Sequence, residues 1–369
     1  MEASMQNYSI SLPSWTIGEQ ALDSIGRICR PYGIKTVVIG GHLSTAAIQQ
    51  KLEAATAKAH IAILDFLYYG GEASEENIER LSGHLSVLDA DMIFAVGGGK
   101  ALDTGKALGA RMHKPVFTFP TIASTCAATT AVSILYHPDG SFAGPCFLGA
   151  PAIHTFIDTE IIASAPPRYL WAGLGDTYAK YFESVMSSRN DELNHYHALG
   201  VNTSRNCLEP LLKYGQSAME NHKAKRVTPE LEQVILSIIV TTGIASILLT
   251  ADRIIDYNTG LAHAIFYALT TFPEFEIEKD HLHGEVVGFG VLILLLADHN
   301  MEMFETLYRF NRSVSLPVSP EDIGISWSDI PRILPTVVKM HDIDHNPYPI
   351  TESMLADAFD RLEKYTLPQ

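Results

Sequence analysis

The 369 residues, 47% of them hydrophobic and 18% charged, are enough for a sizeable core and favour two domains of roughly 150 residues each. A formal net charge of -16, with 26 basic residues scattered singly, leaves no Lys/Arg stripe to neutralise a phosphate backbone or an anionic lipid surface, which excludes nucleic acid and membranes as expected partners. Cys29, Cys126, Cys146 and Cys207 form no CxxC pair; this argues against a disulfide framework or a zinc knuckle and fits a reducing cytoplasm.

Met1-Glu2-Ala3-Ser4 at the N-terminus lacks the basic and apolar regions of a secretory signal. Residues 34–39 are a β-branched run closed by Gly40-Gly41, and a helix is expected from Ser44 to about Lys58. Residues 60–64 predict a second strand, and after Gly70-Gly71 the side chains of Ile78, Leu81, Leu85 and Leu88 recur at helical spacing. Residues 92–96 predict a third strand that runs into a glycine turn, and residues 116–119 a fourth, ended by Pro120. Strands alternating with helices predict βαβ units and a parallel sheet. Past Pro166-Pro167 long helical patterns dominate, with turn signals at Pro229, Gly260 and Pro273. The apolar run 234–251 carries Ser, Thr and Gly and falls short of the roughly 20 residues a membrane span needs, so it reads as a buried core helix. The expected domains are an α/β unit at 1–162 and an all-α unit at 163–369.

A strand that ends in Gly97-Gly98-Gly99-Lys100 and leads into a helix presents main-chain N–H groups and a helix N-terminus to an anion, for which pyrophosphate is the natural occupant. Glycine is needed where a Cβ would block close approach, and Lys100 could add a point charge. The pattern is neither GxGxxG nor a Walker A loop; a plain strand-helix turn is the structural alternative. Further on, Asp176 follows Gly173-Leu174-Gly175 at the expected start of a helix that runs to about Ser184, His263 sits in Ala262-His263-Ala264, and His283 in His283-Gly284-Glu285. One carboxylate and two imidazoles converging from three helices would suit zinc with an open position, or iron(II), although spacing alone does not make them converge.

The succession Gly97-Gly98-Gly99-Lys100-Ala101-Leu102-Asp103-Thr104-Gly105-Lys106, then Pro120-Thr121-Ile122-Ala123-Ser124-Thr125, Gly175-Asp176, Ala262-His263-Ala264 and His283-Gly284-Glu285 resembles the glycerol dehydrogenase branch of the iron-containing alcohol dehydrogenases, over nearly the whole chain. The resemblance implies a Rossmann-like N-terminal domain and a helical C-terminal domain, the dehydroquinate synthase-like two-domain plan, with the active site in the cleft between them. It implies a divalent metal held by Asp176, His263 and His283. It also implies a nicotinamide cofactor contacted by Gly41, Gly97, Gly98, Gly99, Lys100, Asp103, Thr121, Ser124, Thr130, Val132 and Tyr136.

Three positions depart from that family pattern. Cys126 stands where relatives carry an aspartate beside the polyol; Lys180, one turn after Asp176, stands where iron-type relatives place a histidine ligand; Phe266 stands where relatives repeat a histidine. An ammonium cannot ligate a metal, so zinc is favoured over iron, nickel or manganese. A lost carboxylate and a gained cation push the pocket positive, which points to a 2-hydroxy acid/2-oxo acid pair, similar to the hydroxycarboxylate dehydrogenase offshoot, with glycerol or another polyol as the alternative. Lys180 could instead snorkel to solvent or pair with Glu183. The acidic residue that holds the adenosine ribose in relatives falls near Gly41, leaving NAD and NADP both open, with His42 or Ser44 as contacts or simply as helix caps. A homo-oligomer is expected. Weighed against these readings are a sugar-phosphate or cyclising lyase relative, which would need a basic cluster, and a degenerate non-catalytic cofactor-binding protein. His341-Asp342-Ile343-Asp344-His345 has the look of a ligand cluster but reads as a polar loop.

Overall fold

A computed structural model describes residues 8–367, so the signal reading of Met1 to Ser4 lies outside the described residues. Among these, six strands form one parallel sheet: β1 (Trp15–Ile17), β2 (Lys35–Gly40), β3 (Ala62–Tyr68), β4 (Met92–Gly97), β5 (Val116–Pro120) and β8 (His154–Ile157), in the order β1-β8-β5-β4-β2-β3. A separate antiparallel hairpin joins β6 (Val132–Tyr136) and β7 (Phe142–Phe147).

The four inner strands β2, β4, β5 and β8 are buried on both faces, as their near-continuous apolar runs require, while the edge strands β1 and β3 are half-buried to exposed. Along β2 and β4 the period of two sends Val37, Ile39, Ile93 and Ala95 to one face and Val38, Met92, Phe94 and Val96 to the other. The second face packs aromatic rings, with Phe119 stacked on Phe156 at 4.9 Å and tilted against Phe94 at 4.9 Å. Each such buried ring contributes about 1.5–3 kcal/mol relative to exposure. The first face merges with the core of the helical half.

The helices beyond β8 include Pro167–Ser187, Leu261–Thr270 and His283–Ala297, with Asp158 capping a short helix just before them through bonds from the N–H groups of Glu160 and Ile161. Pro229–Leu249, with a mean hydropathy of 1.9 in its most apolar window, has 72% of that window buried inside the protein, as a core helix should. It is interrupted by a π-helical segment at Ser237–Thr241.

Three local expectations need correction. Leu85 and Leu88 are exposed, and Val87 is the buried residue of a separate short helix, Leu85–Asp89. The second strand begins at Ala62, two residues later than expected. Asp176 lies in the middle of a helix that begins at Pro167, where the proline ring suits the first helical turn.

Candidate active site

Strand order places the turns after β2 and β4 side by side, since Gly40 pairs with Val96 and Gly97 with Pro120 of β5. Both turns open at the carboxyl ends of the strands, where α/β sheets bind ligands. There a cleft of about 1090 Å³ runs from Gly41, His42 and Tyr68 past Gly98, Gly99 and Lys100 to Asp176, His263 and His283.

Within the glycine turn each residue has its own reason. Gly97 has φ +143°, which side chains rarely tolerate. A Cβ on Gly98 would sit 2.6 Å from Ile122 Cδ1, so this residue lets the next loop close in. A Cβ on Gly99 would find nothing nearer than Thr125 Oγ1 at 3.4 Å; its open side faces the cleft. The helix Gly99–Met112 starts here with no side-chain cap, so its first N–H groups have no intrahelical partner and can receive an anion.

Lys100 is used differently from expectation. Its Nζ pairs with Glu72 at 2.6 Å and lies 4.9 Å from the Tyr136 ring, so its charge is already balanced and main-chain groups carry the phosphate reading. Asp103 is a hairpin anchor: one oxygen pairs with Lys106 at 3.0 Å and the other accepts the N–H of Ile134 at 3.2 Å. Lys106 in turn donates to Thr130 Oγ1 at 2.9 Å and to the Val132 carbonyl at 2.6 Å. Thr121, Ser124, Thr130, Val132 and Tyr136 all border the cleft. Gly41, without a side chain, caps the helix His42–Lys58, while the Ser44 hydroxyl is engaged with the Gly41 main chain and His42 stacks on Tyr68 at 4.2 Å.

Asp176, His263 and His283 converge, and among the described residues they are the group of His, Cys, Asp and Glu whose donor atoms come together, all within 4.8 Å of one another. Glycine makes this possible. A Cβ on Gly175 would lie 2.0 Å from the Gly284 carbonyl oxygen, one on Gly284 2.1 Å from that of Ala172, and one on Gly290 2.8 Å from Ala262 Cα. The helices carrying Asp176 and His263 therefore press against the one carrying His283. Asp176 Oδ1 is 3.4 Å from His283 Nε2 and 3.9 Å from His263 Nε2. Burial pushes the Asp176 carboxyl up, but the hydrogen bond and charge of His283, with the charges of His263 and Lys180, outweigh it and hold it below the ordinary carboxylate range.

His263 is fixed from behind. Glu183, wholly buried, accepts Nδ1–H at 2.6 Å and the His263 main-chain N–H at 2.9 Å. Burial pushes His263 down and the Glu183 charge more than restores it, leaving the imidazole raised. With Nδ1 held by Glu183, Nε2 is the ring nitrogen turned towards Asp176 Oδ1 at 3.9 Å, and a proton or a metal cation between the two would satisfy both. Two neutral imidazoles and a carboxylate are a donor set that zinc and first-row divalent ions accept at about 2.0–2.2 Å, so the residues present fit a divalent ion.

Lys180 neither snorkels nor pairs with Glu183. Its side chain is 6% exposed, and Nζ donates to both the carbonyl and the Oδ1 of Asn258 at the cleft wall. Cys126 also lines the cleft, and burial pushes its thiol up to about 12, so it is a neutral wall group. The Phe266 and His283 rings meet in a T-shaped pair with centroids 4.4 Å apart. In the polar segment near the C-terminus His341 pairs with Asp344, and His345 with Asp191 and Asp256, but Asp342 faces the ligand group: burial pushes its carboxyl up, and its charge acts on His263 and Glu183.

Sequence reasoning missed Glu183 as the partner of His263, Asn258 as the holder of Lys180, and Lys106 as the core of the hairpin anchor. The acidic and basic residue types were visible, but no local spacing points to partners 80 and 78 residues away.

The parallel sheet with a helical second half is the fold of a known class, the iron-containing alcohol dehydrogenases. The family of iron-containing alcohol dehydrogenases matches residues 13–147. A glycerol dehydrogenase of Thermotoga maritima is 37% identical over 309 residues, covering 80% of this chain and 81% of that protein. Hydroxycarboxylate dehydrogenase A of Escherichia coli is 30% identical, covering 90% of each. The crystal structure of glycerol dehydrogenase from Schizosaccharomyces pombe superposes with a TM-score of 0.84 at 24% identity, covering 98% of this chain and 91% of that one. The chain belongs to the iron-containing alcohol dehydrogenase family.

Proposed function

We propose that this protein is a divalent-metal-dependent, NAD(P)-linked oxidoreductase that interconverts a small alcohol and its carbonyl compound. The observation that carries the reading is that the ligand group Asp176, His263, His283 and the glycine turn after β4 open onto one cleft. When bound, the ion supplies Lewis acidity that stabilises negative charge on a substrate oxygen, and the nicotinamide supplies the hydride acceptor or donor.

The chain's own residues provide the rest. Asp176, His263 and His283 would hold the ion, with Glu183 fixing one ring. Main-chain groups of Gly98, Gly99 and Lys100 bind and orient the cofactor's phosphates. Phe266 and Cys126 give the substrate an apolar, uncharged wall and keep water from that side. Because no carboxylate stands at Gly41, neither ribose form of the cofactor is repelled, and NAD and NADP are both accepted in this proposal.

The glycerol dehydrogenases among the relatives support a polyol substrate. A second reading, a 2-hydroxy acid/2-oxo acid pair, is favoured by one observation: the buried Lys180 ammonium, clamped by Asn258 at the cleft wall, offers a charge partner for a carboxylate. Assay of dihydroxyacetone against 2-oxobutyrate, with NADH and NADPH, separates the two. If the acid is the substrate, Lys180→Met lowers kcat/KM for 2-oxobutyrate at least tenfold more than for dihydroxyacetone; equal losses assign the site to polyols. No turnover of any alcohol or carbonyl by the metal-loaded protein would return the chain to a non-catalytic binder. Zinc as the ion, a cytoplasmic location and a homo-oligomeric assembly complete the proposal; elemental analysis and light scattering check the first and last.

A further inference from the structure

We infer that Glu183 is a positioning residue of the metal centre, setting through His263 how tightly the site holds its ion; this rests on the metal reading above. One wholly buried carboxylate spends both oxygens on a single residue, Oε1 on the His263 main-chain N–H at 2.9 Å and Oε2 on Nδ1–H at 2.6 Å.

The first bond does the work of a helix cap from a distance. His263 is the third residue of the helix Leu261–Thr270, where a capping side chain normally accepts the N–H. Gly260, at the cap position, has no side chain to offer. A Cβ there would lie 3.2 Å from Glu183 Cγ, so the glycine makes room for a cap delivered from the neighbouring helix. A carboxylate at a helix N-terminus is also favoured by the helix dipole.

The second bond makes the arrangement more than a cap. It confines the proton to Nδ1, leaves Nε2 as the lone-pair donor, and prevents the ring flip that would turn Nδ1 towards the cleft. It also couples two charges. Lys180 is taken by Asn258, so the closest compensation for buried Glu183 runs through the His263 ring. A cation on Nε2 and the carboxylate on Nδ1 then stabilise each other across one imidazole. Neither partner would bear its burial well alone.

The test is metal affinity of the apo-protein, by chelator competition with Zn²⁺, together with the visible spectrum of the Co²⁺ form and melting of the apo-protein. Glu183→Ala is expected to weaken Zn²⁺ binding about 10- to 100-fold. Glu183→Gln, which keeps the shape and a single acceptor oxygen, should fall in between, shift the Co²⁺ spectrum, and melt as apo-protein within a few degrees of apo wild type. Should Glu183→Ala fail to fold, Glu183→Gln decides alone. Wild-type affinity and a wild-type spectrum in Glu183→Gln would overturn the inference while leaving the metal site standing. Failure of the wild type itself to take up either ion would overturn the site reading and this inference with it.

Discussion

Gly99 separates folding from function at a single residue. A methyl group there meets no atom closer than 3.4 Å inside the protein, yet it projects into the cleft where phosphates are expected. Gly99→Ala should therefore melt like the wild type while its Kd for the dinucleotide, measured by fluorescence titration, rises about tenfold, or roughly 1.4 kcal/mol. An unchanged Kd would move the phosphates elsewhere. The glycine turn was legible in the sequence because absence of a Cβ is a local demand, whereas the grouping of Asp176, His263 and His283 was expected only through the family resemblance, since spacing alone does not bring three helices together. Glu183 and Asn258 were not, because their roles exist only through hydrogen bonds that cross the helical domain. Lys180 shows the same limit, since its residue type was read correctly while its partner was not among those expected.

Elements are held in place by features of quite different visibility. The contact between Pro167–Ser187 and His283–Ala297 depends on Gly175, Gly284 and Gly288 being bare. Gly284→Ala forces a methyl to 2.1 Å from the Ala172 carbonyl oxygen and 2.9 Å from Asp176 Cβ. Such overpacking costs about 3 kcal/mol and spreads Asp176 from His283, so melting temperature and metal content should fall together. At the sheet edge, His154 hydrogen-bonds Ser14 at 2.7 Å and Thr16 at 2.9 Å, tying the segment of β1 to β8. Burial, with the Arg27 charge, pushes this imidazole from 6.5 down to about 4. A depressed histidine stabilises the fold fully above 6.5, and that contribution is lost as pH falls towards 4, because the unfolded chain binds the proton first. His154→Ala should thus be clearly less stable than wild type at pH 7, with the gap narrowing by pH 4.5 in denaturant titrations; a constant gap would contradict it. Strands of three and four residues such as β1 and β8 carry too little alternation to be read from sequence, and their pairing is made by partners far apart in the chain. The helical spacing of Leu85 and Leu88 misled for the opposite reason, an apolar pattern with nothing packed on it.

On the scale of the whole molecule, the glycine turn of the sheet and the Asp176, His263, His283 group of the helical half line one cleft, and the proposed function depends on that. Class and domain plan were legible because alternating strand and helix patterns give way to long helices after Pro166-Pro167. Substrate was not, since it rests on the charge balance of a few buried groups. Asp176, Glu183 and Asp342 against Lys180 give the centre an excess of acidic groups that a divalent ion would offset; a site so built favours a cation, which in turn favours an anionic or alkoxide-like oxygen. Elemental analysis of the purified protein beside His263→Ala, paired with NAD(P)H oxidation before and after chelation, tests this most directly. The account predicts about one divalent ion per chain, its loss in His263→Ala, and activity that disappears on chelation and returns with added Zn²⁺ or another divalent ion. Undiminished turnover by metal-free wild-type protein would contradict it.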